Sequence, residues 1–200
     1  VTRDRPKSAE LFRKAAALGD VGEMEALAER YRKGDGIRLD RAKSVLLYKM
    51  TADLYYDGVG TERDRARAAG LYRKAADKGN AEAQYCLGKM HYNGDGVPED
   101  RAKAEELYRK AAESFRRAAD NGSGDAAYRL GMMYESGDGV PEDKAKAAEL
   151  YRKAADDGIG DAAFRLGMMY QTGDGVPEDK AKAAVFFGKG VNAGDRNAAW

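Results

Sequence analysis

Residues 123–158 read SGDAAYRLGMMYESGDGVPEDKAKAAELYRKAADDG, and GDAAFRLGMMYQTGDGVPEDKAKAA follows over 160–184. Two helical patterns flank a glycine-rich corner, Gly137-Asp138-Gly139-Val140-Pro141, and the whole arrangement then recurs. Self-similarity at this period marks a helical repeat array, in which each unit is too thin to bury its own apolar face and stacks on the next.

The local chemistry predicts the unit. Stepping 100° per residue from Tyr128, the residues Ala126, Ala127, Leu130 and Tyr134 fall between about 160° and 260°, with Gly131 near 300° at their edge. That mixture of small and large side chains suits close nesting of one helix on another. Gly137 stands where a left-handed C-terminal cap is cheap only for glycine. Pro141 has no backbone donor and a fixed φ, which the corner or a first helical turn tolerates. Asp143 can accept the free N–H groups that open a second helix. That helix carries Ala147, Ala148, Tyr151, Ala154 and Ala155 on one face, and Gly158 stops it. The unit is therefore a first-type helix, a corner and a second-type helix, an antiparallel hairpin.

The pattern Ala126-x-x-x-Leu130-Gly131-x-x-Tyr134-x-x-Gly137-x-Gly139-Val140-x-x-Asp143-x-x-Lys146-Ala147, continued by Tyr151-x-Lys153-Ala154-Ala155-x-x-Gly158, resembles the Sel-one-like repeat (SLR) family, a cousin of tetratricopeptide arrays. The resemblance covers nearly the whole chain. It implies an all-α, right-handed superhelical solenoid of antiparallel helix pairs, used for protein–protein contacts and generally without catalysis.

Corner aspartates act as a ruler along the chain. Asp40, Asp64, Asp100, Asp143 and Asp179 are spaced by 24, 36, 43 and 36 residues. The long interval holds Tyr108 and Phe115, seven apart, where other units carry one aromatic. Seven residues nearly complete two turns, so the insertion lengthens that helix by roughly 10 Å and keeps its apolar face. It predicts a helix from after Asp100 to about Asp120. The short interval, RAKSVLLYKMTADLYY over 41–56, has room for one helix where the pattern needs two. One continuous helix from about Ala42 to Tyr56 is expected there.

Lys7 to Gly19 matches a second-type helix, and Asp20 to Lys33 a degenerate first-type one. Together these readings give a single helical-repeat domain over 1–200. The stretch 1–63 is irregular, the repeats are regular over 64–194, and a partial first-type helix occupies 195–200. The opening at Val1 without methionine reads as a trimmed or processed chain.

Composition narrows the function classes. Lysine and arginine number 35 against 34 aspartates and glutamates, and no basic block stands apart from its acids, so no nucleic-acid footprint is expected. No apolar run approaches a membrane span and no signal-like segment opens the chain. Cys86 is the one cysteine, which forbids an intramolecular disulfide and favours a soluble, cytoplasmic setting. A monomer is expected.

Catalytic and metal readings are weak. The corner with Asn93, Asp95, Glu99 and Asp100 lacks the alternating acids and distal bidentate glutamate of a calcium loop. Cys86 and His91 lie about 140° apart on a helix and make no catalytic pair. His91 is the only histidine, which removes multi-histidine metal sites. No cofactor, metal or catalytic residue is assigned, and an enzyme is not expected.

The informative feature lies opposite the packing face. Tyr128 at 0°, Met132 at about 40°, Asp125 at about 60° and Glu135 at about 340° share it. Equivalent positions give Tyr85 and Lys89, Phe164 and Met168, and Trp200. In tetratricopeptide relatives this face is the concave groove that holds peptides. Two uses remain open: a groove for a protein or peptide partner, or rings packed against the neighbouring repeat. With the groove, the fused helix limits the stripe on its N-terminal side, where the equivalents are Lys49 and Asp53. A different origin is a designed or model-generated repeat protein with no native function, since two units differ at only 8 of 31 aligned positions from Gly124 and Gly160 onward.

Overall fold

A computed structural model describes the backbone of residues 20–197 and side chains through Val191. The predicted helix over Lys7–Gly19 and the stripe residue Trp200 lie outside the described residues. Nine helices occupy the described region: α1 (Val21–Lys33), α2 (Arg41–Asp57), α3 (Arg65–Ala76), α4 (Ala81–Asn93), α5 (Arg101–Asp120), α6 (Gly124–Ser136), α7 (Lys144–Asp156), α8 (Gly160–Thr172) and α9 (Lys180–Asn197). The described chain is all-α, in the helical-repeat class. It forms two compact units, the first ending at Leu107 and the second starting at Tyr108.

Every corner is built alike. A glycine ends each first-type helix in the left-handed region, with φ from 71° at Gly34 to 78° at Gly137. Its N–H then reaches back four residues, as from Gly137 to the Met133 carbonyl at 2.9 Å. The corner aspartate caps the helix after it. Asp40, Asp64, Asp100, Asp143 and Asp179 each accept from the backbone N–H three residues on, at 2.9–3.0 Å. Each such cap contributes about 1 kcal/mol.

The second corner glycine has a harder task. A Cβ on Gly96 would stand 2.4 Å from the Arg65 carbonyl carbon, and one on Gly175 2.6 Å from that of Lys144. Arg65 and Lys144 are the first residues of α3 and α7. The corner thus rests on the opening backbone of the preceding second-type helix. Gly139 makes the same approach to Tyr108 and Arg109, at 2.4 and 2.5 Å. Those residues lie one heptad inside α5, which begins at Arg101.

The two irregular intervals behave as the spacing predicts. The helix α2 has 17 residues and runs through Thr51 without a turn. The helix α5 has 20 residues against 13 in α7, and Ser114 to Ala118 are helical. Tyr108 and Phe115 are both buried, at 6% and 8% exposure.

One expectation is corrected at the far end. The pattern predicts a stop at Gly194 and a partial first-type helix opening at Asp195, but α9 continues through both to Asn197. Glycine permits the left-handed stop without imposing it, and inside a helix it costs only about 1 kcal/mol relative to alanine.

Each unit has its own core. In the first, Met24, Leu27, Ala28, Tyr48, Ala52, Leu71, Tyr72 and Leu87 are buried together. In the second, Leu130, Met133, Tyr134, Tyr151, Leu166 and Tyr170 are buried. The leucine-glycine pair of the first-type helix makes room for a ring. A Cβ on Gly131 would stand 2.7 Å from Tyr151, and one on Gly167 2.7 Å from Phe187. Among the described residues no helix is long and apolar enough to cross a membrane.

Candidate interaction surface

The stripe residues of the second unit fall on α6 and α8, at positions set by the same four-residue step. Phe164 is 57% exposed and Met168 42%, whereas Tyr128 and Met132 are half-buried. The difference comes from the next helices in each direction. The Tyr128 ring lies 5.8 Å from that of Tyr151, and its hydroxyl accepts from Arg165 Nε at 3.3 Å. Phe164 touches Phe187 at 5.4 Å between centroids and is otherwise largely exposed.

Beneath these residues lies a fixed polar clasp. The Tyr151 hydroxyl donates to Glu135 Oε2 at 2.5 Å, and Arg165 donates to the same oxygen at 2.8 Å. Tyr151 is fully buried. Burial and then the Glu135 carboxylate push its phenol far above the ordinary range, so it remains a donor at any working pH. Tyr128, Glu135, Asp161, Phe164, Arg165, Met168 and Asp174 are among the residues that line one cleft of about 660 Å³.

On α2 in the first unit the same register is closed by internal pairs. Lys49 Nζ lies 2.9 Å from both Asp53 and Glu82. Asp53 also accepts from the Tyr72 hydroxyl at 2.7 Å. Lys89 is exposed, with its ammonium over the half-buried Tyr85 ring at 6.0 Å.

A second cleft, of about 1030 Å³, was not legible in the sequence. It lies in the first unit and is lined by Glu29, Arg32, Tyr48, Lys74 and Lys78 among others. Its charges are largely engaged. Tyr48 donates to Glu29 at 2.5 Å, and Lys74 bridges Glu25 and Glu29 at 3.6 and 3.3 Å. Burial opposes ionisation of Glu29, but Tyr48, Arg32 and Lys74 outweigh it and hold the carboxyl down to about 2. The 24-residue interval from Asp40 to Asp64, one helix shorter than the regular 36, supplies part of its lining, from Arg41 to Tyr48.

The weak chemical candidates all have structural partners or surroundings. Asp95, in the corner weighed for calcium, accepts from Arg65 at 2.5 Å and from Tyr56 at 3.2 Å. Burial, and then Asp53, push the Cys86 thiol up to about 11, well away from a reactive thiolate. His91 is buried with Nδ1 3.3 Å from the Pro98 carbonyl oxygen. Among the described residues no three His, Cys, Asp or Glu side chains come together as a metal site.

Fold and surface together define a helical-repeat protein whose distinctive groups lie on the first-type helices. Sel1 repeats match residues 1–20, 24–54, 50–80, 81–114, 124–159 and 160–195, and the chain belongs to the Sel1 repeat family. The matches overlap at 50–54, inside α2, and leave 115–123 uncovered, at the heptad insertion. Members of this family are in general protein-interaction scaffolds. Among solved structures, c5321 is a protective antigen of uropathogenic Escherichia coli strains displaying an SLR fold. It is 31% identical, with a TM-score of 0.52 over 96% of this chain and 42% of that one. The chain thus spans less than half the length of that protein. A Sel1 repeat protein from Oxalobacter formigenes is 23% identical, with a TM-score of 0.55 over 95% of this chain and 85% of that one, and shares the fold. A search of curated proteins gives no match.

Proposed function

We propose that this chain is a non-catalytic scaffold that holds a peptide or protein segment on the first-type face of its second unit. The observation that carries the reading is the exposure of Phe164 and Met168 beside a cleft, at positions where α2 of the first unit has internally paired charges. Large apolar groups left on a non-core face are a common mark of a recognition surface. Phe164 freezes few rotamers on contact, and Met168 adapts its shape to what lies on it. Tyr128, which also lines the cleft, and Met132 continue the stripe on α6 and are half-buried. Tyr85 and Lys89 offer a smaller contact in the first unit, where the ammonium is available to a carboxylate.

The test is affinity capture by the full chain beside a Phe164→Asp, Met168→Asp double variant. Partners held by the parent should be lost from the variant while its thermal melt is unchanged. Equal capture by both chains would refute the assignment of this face.

A further inference from the structure

We infer that the segment held by the second unit carries a lysine or arginine two residues from an apolar side chain. This rests on the groove reading and adds the chemistry of the occupant. The cleft is lined by three carboxylates, Glu135, Asp161 and Asp174, and one guanidinium, Arg165. Glu135 is engaged by Tyr151 and Arg165. Asp174 lies 3.0 Å from Lys144. Arg165 is turned inward to Glu135 and the Tyr128 hydroxyl. An entering anion would find no cation that is not already paired. Asp161 is exposed and makes no ion pair among the described residues.

The rings point the same way. Within the second unit Tyr134, Tyr151, Tyr170 and Phe186 each hold a lysine or arginine over the face, at 4.7 to 6.0 Å. Among the described residues Phe164 is the most exposed ring of that unit, and it has no such cation. Asp161 stands three residues before it and Met168 four after, so all three share one helical face. A cation placed between Asp161 and Phe164 gains an ion pair and a ring face at once. From there to Met168 is about 8 Å along the helix. Side chains two apart on an extended peptide lie on one side, about 7 Å from each other. The occupant is therefore a cation-x-apolar segment in extended form, with the apolar group on Met168.

Random dodecapeptides displayed on phage and selected on the full chain test this. Enriched sequences should carry Arg or Lys two residues from Leu, Met or Ile. For the best such peptide, Asp161→Asn should weaken binding about two- to five-fold and flatten its salt dependence. Phe164→Leu, which keeps an apolar contact but removes the ring face, should weaken it by a similar factor. Replacing the peptide's cation by norleucine should make it insensitive to both changes. Enrichment of acidic peptides, or a norleucine peptide that binds as tightly, overturns the inference and leaves the groove standing. No enrichment, or binding indifferent to Phe164→Ala with Met168→Ala, overturns the groove reading itself.

Discussion

Alanine at Gly139 should destabilise the second unit by about 2–5 kcal/mol. Two independent costs add. Gly139 holds φ 68°, and an L-residue there costs roughly 1–2 kcal/mol. Its new Cβ would also stand 2.4 Å from the Tyr108 carbonyl carbon and 2.5 Å from the Arg109 nitrogen. Neither atom can move unless α5 or the corner moves, and such overpacking costs typically 1–3 kcal/mol. Gly137 supplies the control two residues away. It has φ 78°, but its Cβ would meet nothing nearer than Glu142 Cβ at 3.6 Å. Gly137→Ala should therefore carry only the conformational cost, about 1–2 kcal/mol. Urea unfolding followed by helical circular dichroism reads both, provided the slope is unchanged so that midpoints report stability. The two variants should differ by about 1–3 kcal/mol. If Gly139→Ala is no worse than Gly137→Ala, the contact with the α5 backbone does not limit the corner, and the packing argument fails.

Three further outcomes can be measured on the same chain. Glu29 has its pKa lowered from 4.5 to about 2, so its contribution is present above pH 4.5 and is lost as pH falls towards 2. Its side chain is 31% exposed, which discounts the effect to about 1–2 kcal/mol, and Glu29→Gln should flatten the acid limb of the stability–pH curve in that window. Gly167→Ala should cost about 1–3 kcal/mol through the Phe187 ring 2.7 Å from the new Cβ, and Phe187→Ala in the same chain should recover some of it in a double-mutant cycle. Phe164→Ala should leave the thermal melt within about 0.5 kcal/mol, whereas Leu166→Ala, fully buried two residues on, should cost about 2–5 kcal/mol.

The fold was legible because each unit states its own boundaries. Gly137, Asp143 and Gly158 act within a few residues of where they stand, and a periodic alanine face needs only the helix it belongs to. Both irregular helices were readable from the spacing of the capping aspartates for the same reason. The interaction surface was only half legible. Helical angle placed Tyr128 and Phe164 on one face, yet one is half-buried and the other open. What separates them is the neighbour: Tyr151 and Arg165 cover Tyr128, while Phe187 covers one side of Phe164. Arg165 carried no signal of its own, because a guanidinium beside an aromatic reads as an ordinary solvated charge until the next helix supplies Glu135. Met133 was missed as core since it sits at the edge of the apolar arc. Gly194 misled because the same residue type serves a stop and a continuing helix.

The contact of Gly139 with Tyr108, one heptad inside α5, has a consequence for how such chains can change length. A corner seats itself on a particular azimuth of the preceding helix and is indifferent to how many turns lie before that point. Insertions of seven or eleven residues return the azimuth to within about 20°, while four residues miss it by about 40° and three by about 60°. Growth of a second-type helix is therefore quantised. Lengths that restore the phase leave every glycine contact in place, and other lengths force the corner to be rebuilt. Duplicated arrays of this kind should accumulate helix extensions in those steps, and an engineer lengthening one should do the same.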